Sequence, residues 1–290
     1  MNRLALIFTL ALLLCTSAFA EDATSYNFES VKYPHDTFTQ LLGINNASEI
    51  AGYHGVSTNK GFTLVLPNHF TNENFPKSMQ TQVIGINNKK KTDGFYIDQS
   101  SVTHGFIDSN GAFFTVDYPG TAFNQLLGIN DHGQAAGYYS QSVNNTTPDF
   151  PYIYDEFGGV FELITLPLAV NGAQATGINN LEHVVGFYID SSNVNHGWYL
   201  NDGVLMTLDV PDATFTQALG INNKDQIVGD FMDSAGQTHG FLWQKGKGYK
   251  IIDDPNGVGT TLVNGINDKG QLVGFYGTSP VNTGFVATPK

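Results

Sequence analysis

Gly220-Ile221-Asn222-Asn223-Lys224-Asp225-Gln226-Ile227-Val228-Gly229 is one of six closely similar stretches in a chain of 290 residues. Gly-Ile-Asn begins at Gly43, Gly85, Gly128, Gly177, Gly220 and Gly265. Asn or Asp follows every copy, and a second Gly always stands nine positions after the first, at Gly52, Gly94, Gly137, Gly186, Gly229 and Gly274. Successive copies are 42 to 49 residues apart. A fixed internal spacing at such a period is the mark of stacked supersecondary units, so the repeat decides the architecture before length does.

Working outward from the quoted stretch, each unit reads as four short strands. One strand runs through Gly-Ile-Asn, as at Thr216 to Asn222, and ends in a turn rich in Asn, Asp and Gly. Those residues supply the side-chain hydrogen bonds and positive φ that tight turns require. Gln226 to Met232 reads as the second strand, and a third opens on Gly-Phe or Gly-Trp at Gly105, Gly197, Gly240 and Gly284. The fourth has the pattern of Ala112 to Tyr118 and closes on Pro119, with equivalents at Pro34, Pro76, Pro167, Pro211 and Pro255. A strand end is where proline's missing N–H costs no ladder bond. Nowhere does the chain show the three-and-four apolar spacing of an amphipathic helix. Four strands per unit of about 40–45 residues is the β-propeller pattern. The first Pro-terminated strand precedes the first Gly-Ile-Asn, and the last unit stops after its third strand at Lys290. The expectation is therefore an all-β, six-bladed β-propeller of four-stranded blades, with Tyr26 to Tyr33 completing the last blade so that no edge is left open.

The unit Gly-Ile-Asn-[Asn/Asp]-x-x-x-[Ile/Val]-x-Gly, followed by His-Gly-Phe and a Gly-x-Phe strand, resembles the bacterial HAF-type extracellular repeat family. It departs from that signature at His104, His196 and His239, which are followed by Gly where the family has Ala. The resemblance spans nearly the whole chain after residue 20, implies an exported bacterial propeller and carries no catalytic residues.

The N-terminus has the form of a signal peptide. Met1-Asn2-Arg3 is a short positive region, Leu4 to Cys15 an apolar run, and Ala18-Phe19-Ala20 a small-residue cleavage site. The run is shorter than the roughly 20 apolar residues that a membrane span needs. A lipid anchor on Cys15 would want a small residue where Leu14 stands. Residues 1–20 are thus expected to be cleaved and residues 21–290 to form one domain, secreted or periplasmic and monomeric. After cleavage no Cys and no Arg remain, so neither a disulfide framework nor an arginine grip on carboxylate or phosphate is available.

Twelve lysines against 26 acidic residues leave that mature chain at a formal −14, compared with −13 for the full sequence. Such a balance offers no attraction to nucleic acid or anionic lipid. On a propeller, the fourth-to-first and second-to-third connections share a face. That face carries Asp117, Asp209, Asp253 and Asp254 with Asp98, Asp190 and Asp233; the opposite face carries Lys89, Lys90, Lys91, Lys224, Lys245, Lys247 and Lys269.

One constellation recurs on the acidic face. Asp98 and His104, Asp190 and His196, and Asp233 and His239 are each Asp-x5-His, and the other three units lack both members. Joint presence or loss points to contact across the hairpin, either as a loop-pinning hydrogen bond or as a binding site. These six residues are the candidate binding residues; no catalytic set and no metal set emerges. The chain has no Gly-x-Ser-x-Gly, no His-Glu-x-x-His and no phosphate loop. Asp233-Ser234-Ala235-Gly236 shares only its Asp and Gly with a calcium loop, so calcium is the one, weak, cofactor candidate. Aromatic pairs such as Phe95-Tyr96, Tyr138-Tyr139, Phe187-Tyr188 and Phe275-Tyr276 are expected to pack between blades. Gln40, Gln82, Gln125, Gln174 and Gln217 are expected to hydrogen-bond there. The function these features favour is a non-enzymatic binding protein for a glycan or an extracellular protein. The alternatives are a hydrolase or lyase using Asp and His on an uncharged or cationic substrate, and a structural matrix component.

Overall fold

The computed structural model describes residues 25–144 and 148–290; the expected signal peptide lies outside the described residues. The chain is a β-propeller. β1 (Tyr26–Val31) precedes the first unit, β2 (Thr39–Ile44), β3 (Glu49–His54), β4 (Lys60–Val65) and β5 (His69–Asn72). The second unit is β6 (Gln80–Ile86), β7 (Thr92–Ile97), β8 (Thr103–Ser109) and β9 (Ala112–Val116). The third is β10 (Phe123–Ile129), β11 (Gln134–Ser140), β12 (Phe150–Asp155) and β13 (Val160–Leu163). The fourth is β14 (Ala173–Ile178), β15 (Val184–Ile189), β16 (Asn195–Asn201) and β17 (Val204–Leu208). β18 (Phe215–Ile221), β19 (Gln226–Met232), β20 (Thr238–Gln244) and β21 (Gly248–Ile252) make the fifth, and β22 (Thr261–Ile266), β23 (Leu272–Tyr276) and β24 (Thr283–Pro289) the sixth.

Pairing within each unit is an antiparallel meander. Units one, four and five are separate four-stranded sheets, while units two and three touch through a single parallel bridge, Thr103 to Phe123. The sixth sheet has the order β1-β24-β23-β22, so the N-terminal strand supplies its outer edge, in register from Tyr26 opposite Pro289 to Val31 opposite Gly284. β1 is two residues shorter than the sequence pattern suggests. The Tyr33 amide has left the ladder and donates to Thr39 Oγ1 at 2.9 Å.

The repeat residues explain how the sheets assemble. Each first strand carries a register shift just before its Gly-Ile, for example between Leu41 and Gly43. Such a bulge bends and twists the strand. The repeat Gly is required because neighbouring strands nearly touch there: a Cβ on Gly43 would lie 2.6 Å from Ile84 O and 3.1 Å from the Cα of Gly85. The second Gly seats the aromatic ring of the third strand; a Cβ on Gly186 would meet the Trp198 ring at 2.7 Å.

The Asn of Gly-Ile-Asn does two jobs. Inside its own turn, Asn45 Oδ1 accepts the amides of Ala47 (3.0 Å) and Glu49 (2.9 Å). Its Nδ2 donates to the backbone carbonyl of Asn87 in the next unit. Asn87 does the same to Asn130, Asn130 to Asn179, Asn179 to Asn222 and Asn222 to Asn267, and Asn267 returns to Asn45 O at 3.0 Å. The following residue forms a second closed cycle. Each backbone amide donates to the side-chain oxygen one unit on, from Asn46 to Asn88, Asp131, Asn180, Asn223, Asp268 and back to Asn46.

Apolar residues from facing sheets fill the interfaces. The layer between units four and five is Leu208, Ile227, Phe241 and Trp243 with Val185 and Tyr199. Replacing Asn130 by Ala removes two donated and two accepted hydrogen bonds and leaves the Asn179 carbonyl with the Glu182 amide as its one remaining donor. This is expected to lower unfolding free energy by roughly 2–4 kcal/mol in urea denaturation. His132→Ala, at an exposed position two residues on, should stay within about 0.5 kcal/mol. Equal losses would show that the cycle contributes nothing.

Candidate functional site

The three predicted His residues lie near the start of the third strand of units two, four and five, in β8, β16 and β20. The structure brings each Asp-x5-His pair together, but the hydrogen bond goes elsewhere. His104 Nδ1 is 2.7 Å from Asp117 Oδ2, whereas its Nε2 is 3.7 Å from Asp98 Oδ2. In the fourth unit His196 lies 2.9 Å from Asp209 and 3.5 Å from Asp190. In the fifth, His239 lies 2.7 Å from Asp253 and 3.6 Å from Asp233.

The reason is that the hairpin Asp is already engaged. Asp98 Oδ1 accepts the amides of Ser100 and Val102, both at 2.8 Å, and so closes its own turn. Asp190 and Asp233 do the same. The loop is therefore pinned by Asp and backbone, and the His is pinned by the Asp of the fourth-strand Asp-x-Pro motif. Turn amides are the largest influence on Asp98, Asp190 and Asp233, and with His they hold all three carboxyls below the ordinary value. Burial moves Asp209 the other way, upward against its His.

An aromatic ring from the second strand covers each imidazole. Tyr96 stacks on His104 and Tyr188 on His196, both at 5.0 Å and 23°, and Phe231 stacks on His239 at 5.3 Å and 28°. Three equivalent stations result, each with two carboxylates and one imidazole that are partly exposed and one ring that is buried. A related arrangement, missed by the sequence reading, sits in unit one: His54 Nδ1 is 2.9 Å from Asp36, and its ring stacks on Tyr33 at 3.5 Å. The signal available was the Asp two residues after Pro34.

At the other end of the channel, the Ile-Asn-[Asn/Asp] residues of all six units line a cavity of about 70 Å³. Its two carboxylates, Asp131 and Asp268, each receive two side-chain amides, from Asn88 and Asn180 and from Asn46 and Asn223. Burial pushes both acids upward, but these hydrogen bonds outweigh it and leave both lowered. Three of the five repeated Gln residues bridge units, Gln40 to Asn282, Gln82 to Asn59 and Gln174 to Asp149, whereas Gln125 Oε1 accepts the Tyr138 hydroxyl of its own unit. Among the described residues no group of three or more His, Cys, Asp or Glu is placed to hold a metal ion, and no helix is long and apolar enough to cross a membrane.

No family model matches the chain, and no curated protein does. Solved structures do match in fold. AofleA from Arthrobotrys oligospora is 13% identical, with a TM-score of 0.55 over 89% of this chain and 85% of that one. The fucose-specific lectin from Aleuria aurantia is 11% identical, with a TM-score of 0.55 over 85% and 90%. XC5397 from Xanthomonas campestris, a gluconolactonase, is 9% identical, with a TM-score of 0.53 over 91% and 90%.

Asp230 departs from the repeat, standing where other units have Tyr53, Phe95, Tyr138, Phe187 and Phe275. It is 2% exposed, Oδ1 has no partner, and burial pushes it up to about 7. The folded protein therefore holds this proton more tightly than the unfolded chain, whose Asp titrates near 3.9. Stability from this group falls as pH rises from about 4 to about 7 and then levels. Asp230→Asn should raise Tm by roughly 5 °C at pH 8 and by far less at pH 4 in calorimetry. A pH-independent effect would refute the assignment.

Proposed function

We propose that the chain is a six-bladed, single-domain propeller that binds carbohydrate without catalysing its conversion. The observation that carries this reading is the threefold recurrence, on one face, of the acid–imidazole–acid station under an aromatic ring. A catalytic centre needs groups with divided tasks at one place. Here the same arrangement is copied into units two, four and five, each His already committed to an Asp. Copies of one modest site suit a repeating partner, because linked sites raise avidity without new contacts. Carboxylate oxygens accept hydroxyl protons, and the space between Nε2 and the hairpin Asp, 3.5–3.7 Å wide, suits a bridging hydroxyl. Fold likeness to the Aleuria lectin adds support at the level of architecture alone. The signal-like residues 1–20 and the HAF-like repeat favour an exported bacterial protein, monomeric and without a cofactor.

A glycan array probed with the full mature chain tests this. We expect hits among neutral oligosaccharides that strengthen with surface density. His104→Ala, His196→Ala and His239→Ala together should weaken them at least tenfold while Tm falls by only a few degrees. A blank array, or hits untouched by the triple substitution, would overturn the reading.

A further inference from the structure

Three positions meet at every interface between neighbouring units. One lies three residues after the Gly (or Pro151) that opens the third strand's pattern: Leu64, Asp108, Tyr154, Leu200, Trp243 and Ala287. Another stands three before the closing Pro: Val31, Glu73, Val116, Ile164, Leu208 and Ile252. The last stands two before the second repeat Gly: Ile50, Thr92, Ala135, Val184, Ile227 and Leu272. At five interfaces the three pack as one apolar plug. Val31, Ile50 and Leu64 share a cluster, as do Ile252, Leu272 and Ala287, and Leu208, Ile227 and Trp243. Val184 with Ile164 and Leu200, and Ala135 and Val116 with Tyr154, complete the series.

Between units one and two all three are polar at once: Glu73, Thr92 and Asp108. The space that an apolar plug fills elsewhere is open, as a cavity of about 450 Å³ lined by Glu73, Asp108, Phe113 and Asn110. Its inner end is closed by Ile86, and the Lys90–Glu49 ion pair, at 2.6 Å, ties the two units across it. Thr92 Oγ1 donates to Glu73 Oε1. Asp108 is only 6% exposed; the residue lines this cavity, and its buried Oδ1 has no hydrogen-bond partner. A buried carboxylate oxygen without a donor is costly, so the departure from apolar filling at this interface works against the stability of the fold.

We infer that this interface is a binding pocket for a neutral polyhydroxylated ring of monosaccharide size. The volume falls in the range of small-molecule sites, and the lining combines hydroxyl-accepting carboxyls and three side-chain amides with one aromatic ring. Burial pushes Glu73 up to about 7, against its Thr92 hydrogen bond and with repulsion from Asp108. Burial also raises Asp108, against the turn amides of Gly111 and Ser109. With its proton held near neutrality, the Glu73 carboxyl can both donate to and accept from a hydroxyl. The pocket is separate from the stations on the acidic face, and only its ligand class rests on the carbohydrate reading.

The test uses the full mature chain and titration calorimetry with L-fucose, D-galactose, D-mannose and D-glucose, with D-glucosamine as the cationic comparison. At least one neutral sugar should bind one-to-one and saturably. The double substitution Glu73→Val with Asp108→Leu rebuilds the plug found at the other interfaces. It should reduce binding at least tenfold while raising Tm, a combination that a folding defect does not produce. The Val/Leu variant should keep its density-dependent array hits; loss of those together with the monosaccharide would show that the pocket is not a separate site. No binding by any neutral sugar, binding by glucosamine alone, or unchanged binding by the Val/Leu variant would overturn the pocket. A positive array with no monosaccharide pocket would leave the carbohydrate reading standing and this one refuted.

Discussion

An Asn side chain that belongs to two units at once is the constraint on which the molecule depends. Its oxygen closes the turn in which it sits, and its nitrogen reaches the carbonyl of the next turn, six times round to the start. A turn of the wrong shape would misdirect the Nδ2, and a neighbour too far away would leave that Nδ2 without its carbonyl and the carbonyl with only its own turn's amide. Local folding and assembly are therefore satisfied by the same group. The positive-φ residue late in each turn, such as Ser48, Lys90 or Asp225, serves the same geometry. So does the repeat Gly, which lets first strands approach until Gly43 and Gly85 nearly touch.

Closure at the rim is a different problem. The inner cycles fix neighbours near the axis but leave the last sheet one strand short. β1 fills that place in full register with β24 and buries Val31 against the first unit's Leu41 and Leu64. The chain ends are thus joined by backbone pairing and apolar packing rather than by a covalent bond.

The repeat and the out-of-phase N-terminus were legible because they are stated by several residues at fixed spacing. The Asn was read as a turn residue only, since half its bonding runs to a unit more than 40 residues away and leaves no local trace. The His partner was misread for a related reason. Asp98 and Asp117 look equivalent in sequence, and only the turn geometry shows that Ser100 and Val102 already occupy Asp98. The pair Glu73 and Asp108 was invisible because two acids 35 positions apart mean nothing until the strands that carry them are seen to face each other.

A repeat offers its own standard of comparison, and that alters how a departure is weighed. Where five interfaces agree on an apolar plug, a lone acid reads as tolerated noise, but a coordinated change on both sides of one interface does not. Units two and three show a second instance. Asp93 replaces the Ala or Val of other units, and Tyr152 replaces a Phe or Trp, each buried and each with an unpartnered oxygen. Burial, then the neighbouring Asp117 and Asp93, push the Tyr152 hydroxyl well above its usual range. Burial likewise lifts Asp93 to about 7 against the amides of Gly85 and Gly128. Both changes reduce the stability of an interface that the repeat fills with hydrocarbon elsewhere. Apart from Asp230 in the fifth unit, these polar departures fall at the two interfaces that flank the second unit. The even scaffold carries the fold, and its uneven sector is where a ligand has the most buried hydrogen-bonding capacity to satisfy.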